Sequence, residues 1–243
     1  MGFYQNTKNI PLENIEIILS PRRELISYNS ALRFFTDRDC FNQLTKEMFV
    51  GKIKLFEILT NEYIEDLTCY LVNRINKLID QQITILEAGA GDGRLTFFVN
   101  QKLQRYSQKE VKMIAIDNGQ RGIKPLYRII NYDYQEALER FKPQIVLSSW
   151  MPMGVDWTKD FRKTISVMEY ILIGPKDNGF SGAYYETWGQ GKNIKLYEID
   201  GFERLDLENL NQRQLCFENF KYEPLNNLAK KFSHTVSFRR KNF

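Results

Sequence analysis

The sequence predicts an α/β protein: a doubly wound, mostly parallel sheet preceded by an N-terminal helical extension. Three observations predict it. The run Ile83-Thr84-Ile85-Leu86-Glu87-Ala88 reads as a buried strand that breaks into Gly89-Ala90-Gly91-Asp92-Gly93 and then opens a helix at Arg94. From 83 to 176, short apolar runs alternate with helical stretches, which argues a parallel sheet with helices on both faces. Acids stand at or near the ends of three successive runs: Glu87, Asp117 and Asp133.

Residues 1 to about 20 read as an arm, with Pro11 and Pro21 as breaks, and the pattern from Arg22 to Asp80 is mainly helical. The clearest helix is Glu62 to Ile79, where Tyr63, Leu67, Leu71, Ile75, Leu78 and Ile79 keep near-helical spacing. The expected division is therefore 1–80, arm and helical extension, and 81–243, the sheet domain.

Glycines at 89, 91 and 93 let the backbone pass close to a ligand, since glycine lacks Cβ and tolerates positive φ. A dinucleotide cradle wants G-x-G-x-x-G, and Arg94 stands where its last glycine belongs. Val111 to Ile116 is the second strand, ending at Asp117 in the position where open α/β sheets bind ligands. Asp117-Asn118-Gly119 also reads as a good turn. Asp133 lies in Tyr127 to Tyr134, just before the helical stretch Gln135 to Phe141, where it equally reads as an N-cap. Gln144 to Trp150 is the next strand, followed by Met151-Pro152-Met153-Gly154, and Glu169 to Gly174 the one after. The loop beyond, to about Gly191, carries Phe180, Tyr184, Tyr185 and Trp188; it reads as an aromatic wall or as a plain exposed loop. Ile194 to Leu207 and Thr235 to Arg240 are the remaining strand candidates, and Gln214 to Ala229 shows no clear period.

The segment L-E-A-G-A-G-D-G, with Glu87, Gly89, Gly91 and Gly93, resembles the first motif of class I, Rossmann-like methyltransferases that use S-adenosylmethionine. The resemblance implies a seven-stranded sheet whose last strand runs antiparallel. It implies a cofactor site of Glu87, Ala88, Gly89, Ala90, Gly91 and Gly93. Asp117 and Asn118 would lie at the ribose, Tyr132, Asp133 and Tyr134 at the adenine, and Ser149 nearby. The strand end at Ser148, Ser149, Trp150, Met151 and Pro152 would face the acceptor, with Tyr185 and Trp188 as further acceptor candidates. Ser149-Trp150-Met151-Pro152 lacks the double proline of enzymes that methylate base or glutamine amino groups. Together with the modest charge this favours a small-molecule or protein acceptor over nucleic acid. The stretch Arg22 to Phe35 reads as a packing layer, or as a lid bringing Arg33 or Arg38 to the methionine carboxylate. Tyr132, Asp156 and Glu186 are available as bases, yet each reads more simply as structural, so no catalytic residue is named. The G-x-G-x-G spacing and Arg94 disfavour a nicotinamide enzyme. A methyltransferase-like subunit that binds a partner without catalysing is the other reading, and intact Glu87, Asp117 and Asp133 weigh against it.

The chain has 243 residues, 43% of them hydrophobic, enough for one sizeable core with an elaboration. Its 34 basic and 30 acidic side chains leave only +4, which does not by itself argue for nucleic acid. Cys40, Cys69 and Cys216 are odd in number, with no C-x-x-C, as expected of a reduced, cytoplasmic protein without a structural zinc. No apolar run reads as a secretion signal or a membrane span, so no membrane partner is expected. The single histidine, His234, makes histidine relays improbable.

Overall fold

The computed structural model describes residues 12–19, 24–51, 54–176, 180–189, 195–216 and 233–241. Three helices come first: α1 (Leu12–Leu19), α2 (Tyr28–Thr36) and α3 (Arg38–Val50). A two-residue strand β1 (Glu57–Ile58) and helix α4 (Asn61–Lys77) lead into the sheet. Then β2 (Gln82–Ala88), α5 (Arg94–Tyr106), β3 (Glu110–Ile116), α6 (Tyr134–Phe141) and β4 (Ile145–Ser149) alternate. Next come α7 (Thr158–Lys163), β5 (Glu169–Gly174), α8 (Leu196–Ile199) and β6 (Phe202–Asp206). The described chain closes with α9 (Glu208–Asn211), β7 (Leu215–Cys216) and β8 (His234–Arg240).

The main sheet runs in the order β3-β2-β4-β5-β8-β6. The pairs among β3, β2, β4 and β5 are parallel, and β8 inserts antiparallel between β5 and β6. The expected antiparallel last strand is thus present. The position outside β3 holds a single parallel bridge, Ile116 to Ile130, in place of a seventh ladder. Residues of that segment are spent on packing instead: Tyr127 stacks on Phe97 at 4.0 Å, and Ile129 closes over Gly93.

Period-2 alternation distributes the strand side chains between two faces. Ile83, Ile85, Ile145, Leu147, Ile171 and Ile173 meet α4 and α5 on one face. Leu86, Ala88, Val146, Tyr170 and Leu172 meet Ala137 and Leu138 of α6 and Phe161 of α7 on the other. Helix α4 buries Tyr63, Ile64, Leu67, Leu71 and Ile75, and it starts where the Thr60 hydroxyl accepts from the Tyr63 N–H at 3.2 Å. Each such side chain, fully buried, contributes roughly 1.5–3 kcal/mol. A separate apolar cluster joins α1, α2 and α3 to Leu55, Ile58 and Leu215, where β1 pairs antiparallel with β7.

One expectation shifts. The stretch expected as a strand from Ile194 to Leu207 contains helix α8, and a turn at Gly201 (φ 80°) precedes β6. Most of the unassigned span after Gln214, with Lys230 and Lys231, lies outside the described residues, as do 1–11, Arg22 and Ile194.

Candidate functional site

The glycine turn follows β2 directly. Gly89 and Gly91 adopt φ of 74° and 59°, and Gly93 caps α5 at φ 82°. At Gly89 the conformation is not the only constraint: a Cβ there would stand 3.0 Å from the Trp157 ring. The Ala90 N–H donates to the Ile116 carbonyl at 2.8 Å, tying the turn to the tip of β3. Asp117 continues the tie. Its Oδ2 accepts from the Gly91 N–H at 3.0 Å and its Oδ1 from the Gly119 N–H at 2.7 Å. The turn-forming reading of Asp117 is met. Glu87 is buried, and its Oε2 accepts from both the backbone N–H (3.0 Å) and the hydroxyl (2.5 Å) of Thr96. Burial pushes its carboxyl up to about 7, against the lowering effect of the Thr96 bonds. Arg94 explains its departure from the dinucleotide pattern. Its guanidinium donates to Asp92 and to the carbonyls of Ile18 (2.8 Å) and Leu19 (3.3 Å), the last turn of α1.

A cleft of about 360 Å³ opens at the C-terminal ends of β2, β3 and β4. Twelve of the sequence-designated residues line it: Glu87, Gly89, Ala90, Gly91, Asp117, Asn118, Tyr132, Asp133, Tyr134, Ser149, Trp150 and Pro152. Asp133 does so while its Oδ1 caps α6 through the Gln135 N–H at 2.9 Å, as its N-cap reading expects. Tyr134 stacks on Trp157 at 4.8 Å and donates its hydroxyl to Asp160 at 2.7 Å.

The other designated residues lie elsewhere. Ala88 and Gly93 shape the turn from behind the lining. Met151 is buried in the core below β4, where its sulfur accepts from the Trp157 N–H at 3.4 Å. Trp188, 1% exposed, fills the same core and donates its indole N–H to the Ser181 carbonyl at 2.7 Å. Tyr185 is exposed and lies edge-on to Tyr184. Asp156 is occupied in stapling Thr158 and Thr187, and Glu186 is exposed away from the cleft. Arg33 and Arg38 are exposed and do not reach the lining.

The wall supplied by the N-terminal extension is instead the segment Lys54 to Leu59, which sequence reasoning passed over. Phe56 stacks on Trp150 at 5.1 Å with 23° between the rings. Trp150 holds φ at 55°, a left-handed conformation costly for a residue with a bulky side chain. Glu57 is 5% exposed, and burial pushes its carboxyl up to about 7. Ser233 and Trp150 lie close enough to favour the charged form, yet neither reaches hydrogen-bonding geometry with it. The overlooked signal was an acid inside the apolar run Leu55-Phe56-Glu57-Ile58-Leu59. Leu95, Trp157 and the loop residues Gln120, Arg121 and Ile123 complete the lining that sequence alone did not single out.

No protein-family model matches the chain, and no curated protein sequence matches it. Among solved structures it is similar to the CMeT domain of the citrinin polyketide synthase, at 12% identity and a TM-score of 0.42, covering 81% of this chain and 56% of that one. It is similar to the DszA carbon methyltransferase at 14% identity and a TM-score of 0.41, over 74% and 53% of the two chains. The plantazolicin methyltransferase BpumL, solved with S-adenosylhomocysteine, matches at 10% identity and a TM-score of 0.37, over 96% and 98%. The chain thus spans little more than half the length of the first two. Its own strand order, with β8 antiparallel between β5 and β6, defines its fold. Among the described residues there is no cluster of His, Cys, Asp and Glu fit to hold a metal ion, and no helix long and apolar enough to cross a membrane.

Proposed function

We propose that the chain is an S-adenosylmethionine-dependent methyltransferase acting on a small-molecule or protein acceptor. One observation carries the reading: acids from the end of β2 (Glu87), from just past β3 (Asp117) and from the cap of α6 (Asp133) line the same cleft as the Gly89–Gly91 turn. The donor set fits this cofactor. A sulfonium is a cation with no pyrophosphate to hold, so a carboxylate-rich cleft suits it better than an anion cradle. Asp117 already accepts from Gly91 and Gly119, but an ionised carboxylate has about four lone-pair sites. Two remain for ribose hydroxyls. Tyr132 and Tyr134 offer faces and edges to an adenine ring, beside Asp133 for its amino group.

The cofactor, when bound, supplies a methyl group already attached to a good leaving group. What the chain contributes is binding, alignment and exclusion of water. In this reading 81–243 holds the cofactor, and the extension within 1–80 closes the cleft through Lys54 to Leu59. Cys40, Cys69 and Cys216, none in a disulfide, support a reducing, cytoplasmic setting.

Isothermal titration with S-adenosylmethionine, S-adenosylhomocysteine and NAD tests the reading. Micromolar binding of the first two and none of NAD is expected. Absence of binding by either sulfur ligand overturns it and leaves a partner-binding subunit as the better account.

A further inference from the structure

We propose that Glu57 and Trp150 form the acceptor subsite of this cleft and that the acceptor is an amine. The inference rests on the methyltransferase reading and names the substrate class of the same site.

Buried polar atoms are almost always hydrogen-bonded, and each exception asks for an explanation. Here three exceptions gather at one place. Glu57 Oε1, Trp150 Nε1 and Ser233 Oγ are all buried without a hydrogen-bond partner among the described residues. Glu57 and Trp150 both line the cleft, and Ser233 and Trp150 stand close enough to the Glu57 carboxylate to favour its charged form. No ion pair to Glu57 occurs among the described residues. Trp150 and Ser233 are neutral donors that can serve only part of a carboxylate's four or so lone-pair sites, so Glu57 keeps room for a further donor, and a cationic one compensates its burial best. The rings agree. Phe56 and Trp150 stack as an aromatic pair beside Glu57, and aromatic faces attract cations. The Arg121 guanidinium already lies 6.0 Å from the centre of the Phe56 ring.

The chemistry selects among acceptors. An alcohol or a carbon acid needs a base far stronger than a carboxylate to lose its proton before attack. An amine does not. Its ammonium proton passes to Glu57, whose carboxyl burial has raised to about 7, close to where a proton acceptor at neutral pH works best. The freed nitrogen lone pair then forms the new C–N bond. The C–S bond breaks, and sulfur keeps its electron pair as a neutral thioether. The proton on Glu57 leaves to water.

The test is calorimetric and does not need turnover. Protein saturated with S-adenosylhomocysteine is titrated with 2-phenylethylamine and with 2-phenylethanol, its neutral counterpart, at about pH 7.5. The amine should bind about tenfold tighter than the alcohol, one charge-assisted bond's worth. In Glu57→Gln that preference should vanish, while S-adenosylhomocysteine binds within about twofold of wild type. A second measurement varies pH, and absence of the rise in wild type overturns the proposal even if the variant fails to fold. Amine affinity should rise about tenfold from pH 6 to pH 8 as Glu57 ionises. The other charged or titratable groups facing this region are Tyr63 from α4, Lys54, Arg121, Asp92, Arg94, Asp117 and Asp133. Glu87, near 7, and His234, next to Ser233, belong with them. Both remain in Glu57→Gln, where the rise should be absent, so a rise that either one caused would persist there. Equal binding of amine and alcohol, binding of neither, or an amine preference that survives in Glu57→Gln overturns the proposal. If S-adenosylhomocysteine fails to bind while the amine binds through Glu57, the cofactor reading falls and the subsite stands.

Discussion

Single residues in this cleft carry two duties, and their burial has a measurable consequence. Asp117 and Asp133 each hold a local turn or cap with one oxygen while lining the cleft. Holding a turn or a cap does not take either one out of the lining. Glu57 and Glu87 differ, because burial leaves each carboxyl near 7 when folded, against roughly 4.3 in an unfolded chain. Between about pH 4.5 and 7 the folded protein retains protons that the unfolded chain has released, so stability falls as pH rises through that window. Below it both states are neutral and no penalty exists. Above it both are ionised and the penalty is complete, about 4 kcal/mol for each group. Asp37, Glu65 and Asp206 are held below the usual carboxylate range, so their contributions are lost only on more acidic titration. Thermal unfolding should therefore give a lower Tm at pH 8 than at pH 5.5, and Glu57→Gln should raise the pH 8 value and flatten the slope. A Tm that climbs from pH 5.5 to 8 in wild type would mean that neither acid is held protonated by burial.

At the level of elements, the strands were readable because their signal is local. Each apolar run from 83 to 174 ends in a turn, and the glycine motif sits in one continuous segment. β1 carries no such signal. It is two residues long, and its partner, β7, lies far along the chain, so only the folded protein brings Glu57 to the cleft. Trp188 failed for the opposite reason: an aromatic in a loop reads the same whether it turns outward or, as here, into the core. Arg94 shows an element held by one side chain. It is buried, paired with Asp92, and donates to the last carbonyls of α1, which no following turn of helix satisfies. Arg94→Met keeps the length and removes every donor. It should destabilise the protein by about 3 kcal/mol, since Asp92 loses its partner in a largely buried site. Hydrogen exchange localises the effect: amides of Ile15 to Leu19 should exchange at least about tenfold faster, with those of β4 and β5 shifted only by the global loss. Uniform acceleration would mean that α1 is held by its apolar contacts instead.

Across the whole molecule, the cleft stands at one end of the sheet and a buried charge network at the other. Glu169 is the first residue of β5, 1% exposed, and its carboxylate is shared among three elements. It accepts from Arg74 Nε at 2.5 Å and from the Tyr70 hydroxyl, both on α4, and from the Ser237 hydroxyl of β8 at 2.6 Å. Arg239 donates to Tyr70 and lies 3.8 Å from the same carboxylate. The sequence marks Glu169 only as the polar start of an apolar strand. Its partners come from positions 70, 74, 237 and 239, and no local pattern connects them. The network fastens α4 to the antiparallel β8, and with it the strand that distinguishes this sheet from a wholly parallel one. Glu169→Ala leaves Arg74 buried with its charge uncompensated, so unfolding by denaturant should show a loss of about 3–5 kcal/mol. The cleft lies beyond the opposite strand ends, and none of its lining residues touches this network. Whatever fraction of the variant remains folded should therefore bind S-adenosylmethionine with an affinity within about twofold of wild type. A parallel drop in affinity would show that the two ends of the sheet are energetically coupled, and that fastening β8 is part of how the cleft is held open for its ligand.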